Sequence, residues 1–171
     1  MPDARKPRFA LLSLAVVVLD QWTKWLVEVH LPEGAAHPVV GGFLNLVHVR
    51  NTGVAFGLFS SDTGSTSWLL TVLGFAALAA VAVYFWLTPS HDRLLLTALA
   101  LVAGGAVGNL ADRIAAGAVT DFVDVFVGTY HWPAFNVADS AISVGIALLV
   151  LETLLPRRLR GGTAATATEA A

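Results

Sequence analysis

Hydrophobic and polar positions are arranged along the chain in long blocks. Four apolar blocks are long enough to cross a bilayer as helices, at about residues 9–28, 68–87, 94–112 and 137–155. Each is close to the ~20 residues that an α-helix needs to cross a hydrocarbon core of ~30 Å. The pattern therefore predicts four transmembrane helices, which return the chain to the side of the membrane on which it starts.

The segment between the first two predicted spans, residues 29–67, does not have the composition of a featureless loop. Its stretch PVVGGFLNLVHVRNTGVAFGLF is rich in Val, Phe and Leu and contains Gly and Asn-Thr-Gly turn signals, which favour short strands. We expect a small β-structure that rests on one face of the membrane. The predicted fold class is an all-α membrane protein that carries this small β-structure.

Lysine and arginine set the predicted orientation, because they are retained preferentially in short cytoplasmic segments. They flank the first and last spans and occur in the short second connection, as Arg5, Lys6, Arg8, Arg93, Arg157, Arg158 and Arg160. Both termini are therefore predicted to be cytoplasmic, with residues 29–67 and 113–136 on the outer side. We assign residues 1–156 to one membrane-embedded domain and the small, polar segment 157–171 to a disordered cytoplasmic tail.

The composition excludes several kinds of functional site. The chain is 56% hydrophobic and 13% charged, its net charge of -2 gives no sign of nucleic-acid binding, and it has no cysteine. Disulfides, thiolate metal sites and a cysteine nucleophile are thereby excluded. The five histidines are scattered without the helical His-Glu-His spacing of zinc proteases, and no G-x-S-x-G motif is present. We expect neither a metal nor a cofactor.

Several polar residues lie at one depth, in the outer half of the predicted spans or just beyond it. They are Asp20, Lys24, Asn109, Asp112, Arg113, Asp121, Asp124, Asn136 and Asp139. Ionisable residues inside a membrane usually face a bundle interior or a wet cavity and carry function. The sequence therefore indicates one polar site near the outer face.

Two pairs in this set have helical spacing. Asp20 and Lys24 are four residues apart, so they can form an ion pair on one face of the first helix. That pair either neutralises itself as a structural element or orients a ligand. Asn109 and Arg113 have the same spacing and are predicted to face the same cavity.

Two further residues have simple structural interpretations beside functional ones. Asn51, in RNTG, either forms a turn between strands or hydrogen-bonds a bound extended segment. Asp112, next to Arg113, is interpreted as a solvated charge at a helix end.

The remaining carboxylates suggest a reaction. Asp121 and Asp124 share a face if their segment is helical and lie on opposite faces if it is a strand, so the sequence alone leaves them tied. Asp139 begins the last helix, where a carboxylate is favourable as a cap. Two carboxylates at one depth are also what acid–base hydrolysis requires, since close carboxylates share a proton.

Two other classes of function fit parts of the pattern. One is a proton-coupled carrier with a relay through Asp20, Lys24 and Asp139. The other is an assembly partner with no catalytic activity. The carboxylates gather on one side rather than along a path across the membrane, which argues against the carrier.

Five motifs, taken together, resemble those of a known family. They are LDQWTK at 19–24, RNTGVAFGL at 50–58, GGAVGNLADR at 104–113, VTDFVDV at 119–125 and PAFNVADSAI at 133–142. In this order, and on four predicted spans, they resemble the bacterial lipoprotein signal peptidases, also called signal peptidase II.

The resemblance implies an aspartic endopeptidase of the bacterial cytoplasmic (inner) membrane, with its active site on the outer side and a β-cradle at about residues 38–58. Such an enzyme removes the signal peptide of prolipoproteins by cutting before the cysteine that carries a diacylglyceryl group. The resemblance places the catalytic dyad on Asp121 and Asp139, which breaks the tie with Asp124. Its implied partners are this substrate and membrane lipid, and its implied state is a monomer.

The resemblance also implies a set of substrate-binding positions. They fall on Asp20, Lys24, Asn51, Gly53, Asn109, Arg113 and Asn136.

Overall fold

The structure, a computed structural model, describes residues 6–53 and 65–154. Its helices are α1 (Lys6–His30), α2 (Ser65–Leu87), α3 (Arg93–Ala116) and α4 (Val137–Leu154). All four are long and apolar enough to cross a membrane, which confirms the number of helices predicted from the sequence. The end of the predicted β-cradle (54–58), the last predicted span residue (155) and the predicted tail (157–171) lie outside the described residues.

Helix α3 is the centre of the bundle and packs against α1, α2 and α4. Its glycines permit the close approach: a Cβ on Gly104 would lie 2.8 Å from the Ser13 carbonyl oxygen, and one on Gly108 would lie 2.5 Å from Asp20 Oδ2. Gly105 faces the Ala138 carbonyl of α4 in the same way. Small residues at these positions let helix backbones meet without intervening side chains.

The helices bury polar side chains and expose apolar ones. Asp20 and Lys24 are buried, whereas Leu14, Leu73 and Val150 are each more than half exposed. A soluble domain shows the opposite distribution, because burial of apolar area stabilises its core. The inversion is expected of helices whose outer surface contacts lipid.

An antiparallel sheet contains β1 (Ala36–Val40), β2 (Leu44–Asn51), β3 (Val119–Val127) and β4 (Tyr130–His131), in that order. The small β-structure predicted from the long loop is therefore present. The sequence did not predict that the segment after α3 would join it. Residue Val49 of β2 lies opposite Asp121 of β3, so the segment that contains both Asp121 and Asp124 is a strand.

Short connections hold β3 between two helices. Helix α3 ends at Ala116 and is capped by Gly117, whose positive φ of 71° is the left-handed conformation of a helix C-cap and whose N–H donates to the Arg113 carbonyl. Strand β3 begins at Val119. The chain then returns through Phe135, which forms a β-bridge with Val123 just before α4. This return places the start of α4 beside β3.

Candidate active site

Strand β3 directs its two aspartates to opposite sides. Asp121 accepts hydrogen bonds from Asn51 Nδ2 (2.9 Å) and Asn136 Nδ2 (2.7 Å). Asp124 instead accepts from Asn45 Nδ2 at 2.9 Å and contacts His131 Nδ1 at 2.8 Å. Residues three apart in a strand point to opposite faces, so the geometry separates the two carboxylates.

The start of α4 brings Asp139 to the same place as Asp121. Asp139 donates its backbone N–H to Asn136 Oδ1 (2.9 Å), and its carboxylate accepts the Asn136 N–H (3.3 Å), as in a capping box. The expected cap at Asp139 is therefore present. Because Asn136 also donates to Asp121, this one residue joins the two candidate carboxylates.

The two aspartates of β3 have different electrostatic environments. Burial raises the pKa of Asp121 to about 6; the hydrogen bond from Asn51 opposes the rise, and the charge of Asp139 adds to it. For Asp124, burial also acts to raise the pKa, but the hydrogen bonds from His131 and Asn45 outweigh it and hold the pKa below its usual range. Of the two, Asp121 is the carboxyl group that retains a proton closer to neutral pH.

A buried lysine, Lys24, contacts two further carboxylates and an asparagine next to Asp139. Lys24 is 2% exposed, and its Nζ lies 2.7 Å from Asp20 Oδ2, 2.7 Å from Asp112 Oδ2 and 3.0 Å from Asn109 Oδ1. The ion pair predicted from the spacing of Asp20 and Lys24 is confirmed. A buried charge requires such partners, because an isolated one would be strongly destabilised.

The interpretation of Asp112 as a solvated charge is wrong. Its side chain is 12% exposed and pairs with Lys24, while its other oxygen accepts from Gln21 Nε2 at 2.7 Å. Asp112 follows Gly108 by four residues and so faces α1, where both partners lie. That spacing was visible in the sequence, but Gln21 was not singled out.

Asn109 connects the lysine to Asp139. Because its Oδ1 accepts from Lys24, its Nδ2 is directed to Asp139 Oδ1, at 2.7 Å. Asp20, which is fully buried, accepts the Ala138 N–H at 2.8 Å through its other oxygen. Helix α1 therefore fixes both the side-chain partner of Asp139 and the first turn of α4.

Asn51 and Gly53 form a second support, on the side of Asp121. The Gly53 N–H donates to Asn51 Oδ1 at 2.8 Å, and Gly53 has a φ of 94°, which only glycine adopts readily. This turn leaves Asn51 Nδ2 free to donate to Asp121. A turn is thus present at the end of β2, and it orients the amide; the residues that would form the next strand of the predicted turn lie outside the described ones.

Arg113 is near the site but has spare hydrogen-bonding capacity. Its Nη1 lies 3.4 Å from the Asn109 carbonyl oxygen. Its Nε is buried and has no hydrogen-bond partner among residues 6–53 and 65–154. The guanidinium therefore retains donors that an acceptor entering the site could use.

Two further residues were not singled out from the sequence. Thr120, which precedes Asp121, donates its hydroxyl to Glu28 Oε1 at 2.6 Å. These residues are 92 positions apart in the chain. Local spacing carried no signal for this contact, which depends on how α1 packs on β3.

Taken together, the geometry can support acid–base chemistry. Two carboxyl groups from different elements are joined through one asparagine, and one of them has a raised pKa. Such an asymmetric pair can deprotonate a water with one member and donate a hydrogen bond with the other.

A family model and several relatives match most of the chain. Residues 12–155 match the family model described as signal peptidase (SPase) II. The chain is 42% identical over 159 residues to the lipoprotein signal peptidase of Solibacter usitatus, covering 92% of this chain and 96% of that one. It is 46% identical over 150 residues to that of Paraburkholderia phytofirmans, covering 88% and 85% of the two chains.

Two solved structures have the fold of this chain. Two structures described as bacterial membrane enzymes each superpose with a TM-score of 0.73. One is 29% identical and covers 94% of this chain and 95% of its own. The other is 32% identical, with 86% and 93% covered.

Proposed function

Because the chain belongs to the signal peptidase II family of membrane proteases, we propose that it removes the signal peptide from prolipoproteins. The proposed substrate carries a diacylglyceryl group on a cysteine, and the cut falls just before that cysteine. The proposed catalytic type is an aspartic endopeptidase, with Asp121 and Asp139 as the dyad.

The observation that carries this proposal is the link through Asn136, which donates to Asp121 from its side chain and to Asp139 from its backbone. Asp139 is the proposed base, because it is partly exposed and both its oxygens accept from amide donors. Asp121 is the proposed acid, in keeping with its raised pKa.

The proposed reaction begins with a water between the two carboxyl groups. Asp139 takes a proton from the water while the water oxygen adds to the scissile carbonyl carbon. Asp121 transfers its own proton to the carbonyl oxygen of the substrate. The carbon–nitrogen bond then breaks. The leaving amine takes the proton from Asp139, and the new carboxylic acid returns a proton to Asp121, which restores the starting state.

The supporting residues divide into two proposed groups. Lys24 contacts both Asp20 and Asn109, and Asn109 contacts Asp139, so we assign these three residues to holding the dyad. Arg113 is proposed to bind the substrate backbone, since its guanidinium has unused donors. Asn51, oriented by Gly53, and Asn136 are proposed to hold Asp121 and to border the bound peptide.

The proposed location follows from the substrate. A lipid-modified precursor can reach the site laterally, with its acyl chains still in the bilayer, only if the enzyme is itself embedded there. We propose a multi-pass protein of the bacterial inner membrane, acting as a monomer without a cofactor. The site then faces the outer side, and both termini are cytoplasmic.

The test compares Asp121→Asn and Asp139→Asn with wild type on a diacylglyceryl-modified precursor, followed by gel shift. Each variant should lose ~10²–10⁴-fold in rate, since each removes one proton-transfer group. Asp124→Asn is the matched control, because its carboxylate lies on the other face of the same strand, and it should keep most activity. If either dyad variant still cuts at the wild-type rate, the assignment of the dyad is incorrect.

A further inference from the structure

Thr120 makes three polar contacts although it has no direct part in the proposed chemistry. It is 2% exposed, and its hydroxyl donates to Glu28 Oε1 of α1 at 2.6 Å. Its N–H lies 3.4 Å from Asp112 Oδ2 of α3, and its carbonyl accepts from Asn136 Nδ2 at 3.3 Å. All three of its polar groups therefore contact residues outside its own strand.

The hydroxyl contact is the most specific of the three. Its length falls in the range of about 2.5–2.7 Å that is typical of a hydroxyl bonded to a charged carboxylate. Valine has nearly the same shape as threonine but lacks this donor, so packing alone does not require threonine here. The contact also joins the outer end of α1 to β3 across 92 positions of sequence.

Thr120 and Asp121 point to opposite faces of β3, as successive strand residues do. Thr120 faces α1, where Glu28 lies, and Asp121 faces Asn51 and Asn136. A rotation of the strand that releases Thr120 from Glu28 would therefore turn the Asp121 carboxyl away from its two amide donors. The position of the Asp121 carboxyl therefore depends on the contact between Thr120 and Glu28 on the opposite face of the strand.

We infer that Thr120 and Glu28 act as a positioning pair that fixes the carboxyl of Asp121 for the hydrolysis proposed above, on which this inference rests. Their role in this inference is to position the Asp121 carboxyl, not to bind the substrate. Glu28 is exposed at the outer end of α1, so the pair couples the register of α1 against β3 to the geometry of the dyad.

The central comparison is Thr120→Val against Thr120→Ser. Valine removes the hydroxyl and should lower kcat about 10- to 100-fold, the scale expected when a catalytic group moves by ~1 Å, while KM stays within a factor of about two. Serine keeps the hydroxyl and should restore most of kcat. A purely structural role for the side chain would not distinguish valine from serine in this way.

A second readout is the pH dependence of kcat/KM. If Asp121 is the proton-carrying member, activity falls as pH rises through its pKa. In Thr120→Val the amide donors that lower this pKa are weakened, so the descending limb should move to higher pH. Thr23→Val is the control: its hydroxyl donates to the Leu19 and Asp20 carbonyls of its own helix, and neither kcat nor the limb should change.

A double-mutant cycle tests the partner. Glu28→Ala should reduce kcat as Thr120→Val does, and the double variant should be no worse than either single one, because both remove the same contact. Additive losses, a wild-type kcat in Thr120→Val, or failure of serine to restore activity would each overturn the inference.

The two proposals fail differently. If Asp121→Asn is inactive but Thr120→Val is normal, only the positioning pair is refuted. If Asp121→Asn cuts normally, the proposed dyad itself is refuted. Apparent melting temperatures of all variants in detergent show whether each compared protein is folded.

Discussion

At the residue scale, three asparagine side chains share one arrangement around the proposed dyad. In Asn51, Asn109 and Asn136 the Oδ1 atom accepts a hydrogen bond, from Gly53 N–H, Lys24 Nζ and Asp139 N–H respectively. Each Nδ2 must then point the other way, and each donates to a carboxylate of the dyad. An aspartate at any of these positions would place a third carboxylate against the first two.

This arrangement gives a prediction for Asn51→Ala. Its hydrogen bond lowers the pKa of Asp121, so its removal should raise that pKa above about 6. With Asp121 as the protonated member, kcat/KM falls as pH rises through its pKa, and the descending limb should therefore move to higher pH. The measurement is kcat/KM of the purified enzyme from pH 5 to 9, the limb being set by the free enzyme.

Asn45→Ala is the matched control for that profile. Asn45 donates to Asp124 on the other face of β3, so its removal should leave the limb where it is. An Asn51→Ala limb that stays in place or moves to lower pH would contradict the proposed role of Asp121.

The sequence predicts the residues around the proposed dyad but not all of the contacts that hold them. The pair of Asp20 and Lys24 was visible from local spacing, and the family resemblance selected Asp121 over Asp124. The contact of Gln21 with Asp112 joins residues 91 apart, so no local pattern could reveal it. Asp112 was misinterpreted because its partner is on another helix.

At the element scale, helix α1 makes the contacts that hold α3, α4 and β3 in place around the candidate site. It contacts α3 through Lys24 and Asp112, caps α4 through Asp20 and Ala138, and reaches β3 through Glu28. These contacts require α1 and α3 to approach closely. Gly104 and Gly108 allow that approach.

Gly108→Ala should therefore be harmful although alanine favours helices over glycine by ~1 kcal/mol. The added Cβ would lie 2.5 Å from Asp20 Oδ2, so α1 must shift. The contacts of the Asp20 carboxylate with Lys24 and with the Ala138 N–H must then weaken. We expect a loss of about 1–3 kcal/mol in unfolding free energy, typical of overpacking. A lower apparent melting temperature and reduced cutting would report it.

Gly41→Ala provides the comparison. A Cβ at Gly41 meets no atom within 4 Å, so this variant should match wild type in both assays. Equal melting temperatures for the two alanine variants would show that the bundle adapts to the added methyl group.

Strand β3 illustrates what local sequence cannot supply at this scale. The helices were predictable because length and hydropathy are properties of one segment. Pairing of β3 with β2 joins positions such as Asn51 and Val119, which lie on either side of two helices. VTDFVDV by itself was compatible with a helix or a strand, and only tertiary pairing decides between them.

At the scale of the whole molecule, the candidate site and the sheet lie at the same end of the bundle. The connection from α1 to β1 and the connection from β3 to α4 belong to that end, whereas the connection from α2 to α3 belongs to the opposite end. The predicted orientation places the first end on the outer side of the membrane and the second end on the cytoplasmic side.

Single cysteines test this orientation directly, because the natural chain has none. Glu33→Cys, exposed between α1 and β1, should react with a membrane-impermeant maleimide in intact spheroplasts. His91→Cys, exposed between α2 and α3, should react only after the membrane is permeabilised. The reverse pattern would place the termini outside and would contradict the proposed location of the site.

Helix α2 differs from the other three helices because few of its side chains pack against the protein. It packs mainly against α3, and residues 68–87 contain no buried position. Most of its side chains thus need only be soluble in lipid, and many apolar residues meet that demand equally well. Among natural variants, α2 should consequently accumulate exchanges among Leu, Val, Ile, Ala and Phe faster than α1, α3 or α4, and a random library confined to its lipid-facing positions should yield a large share of working enzymes.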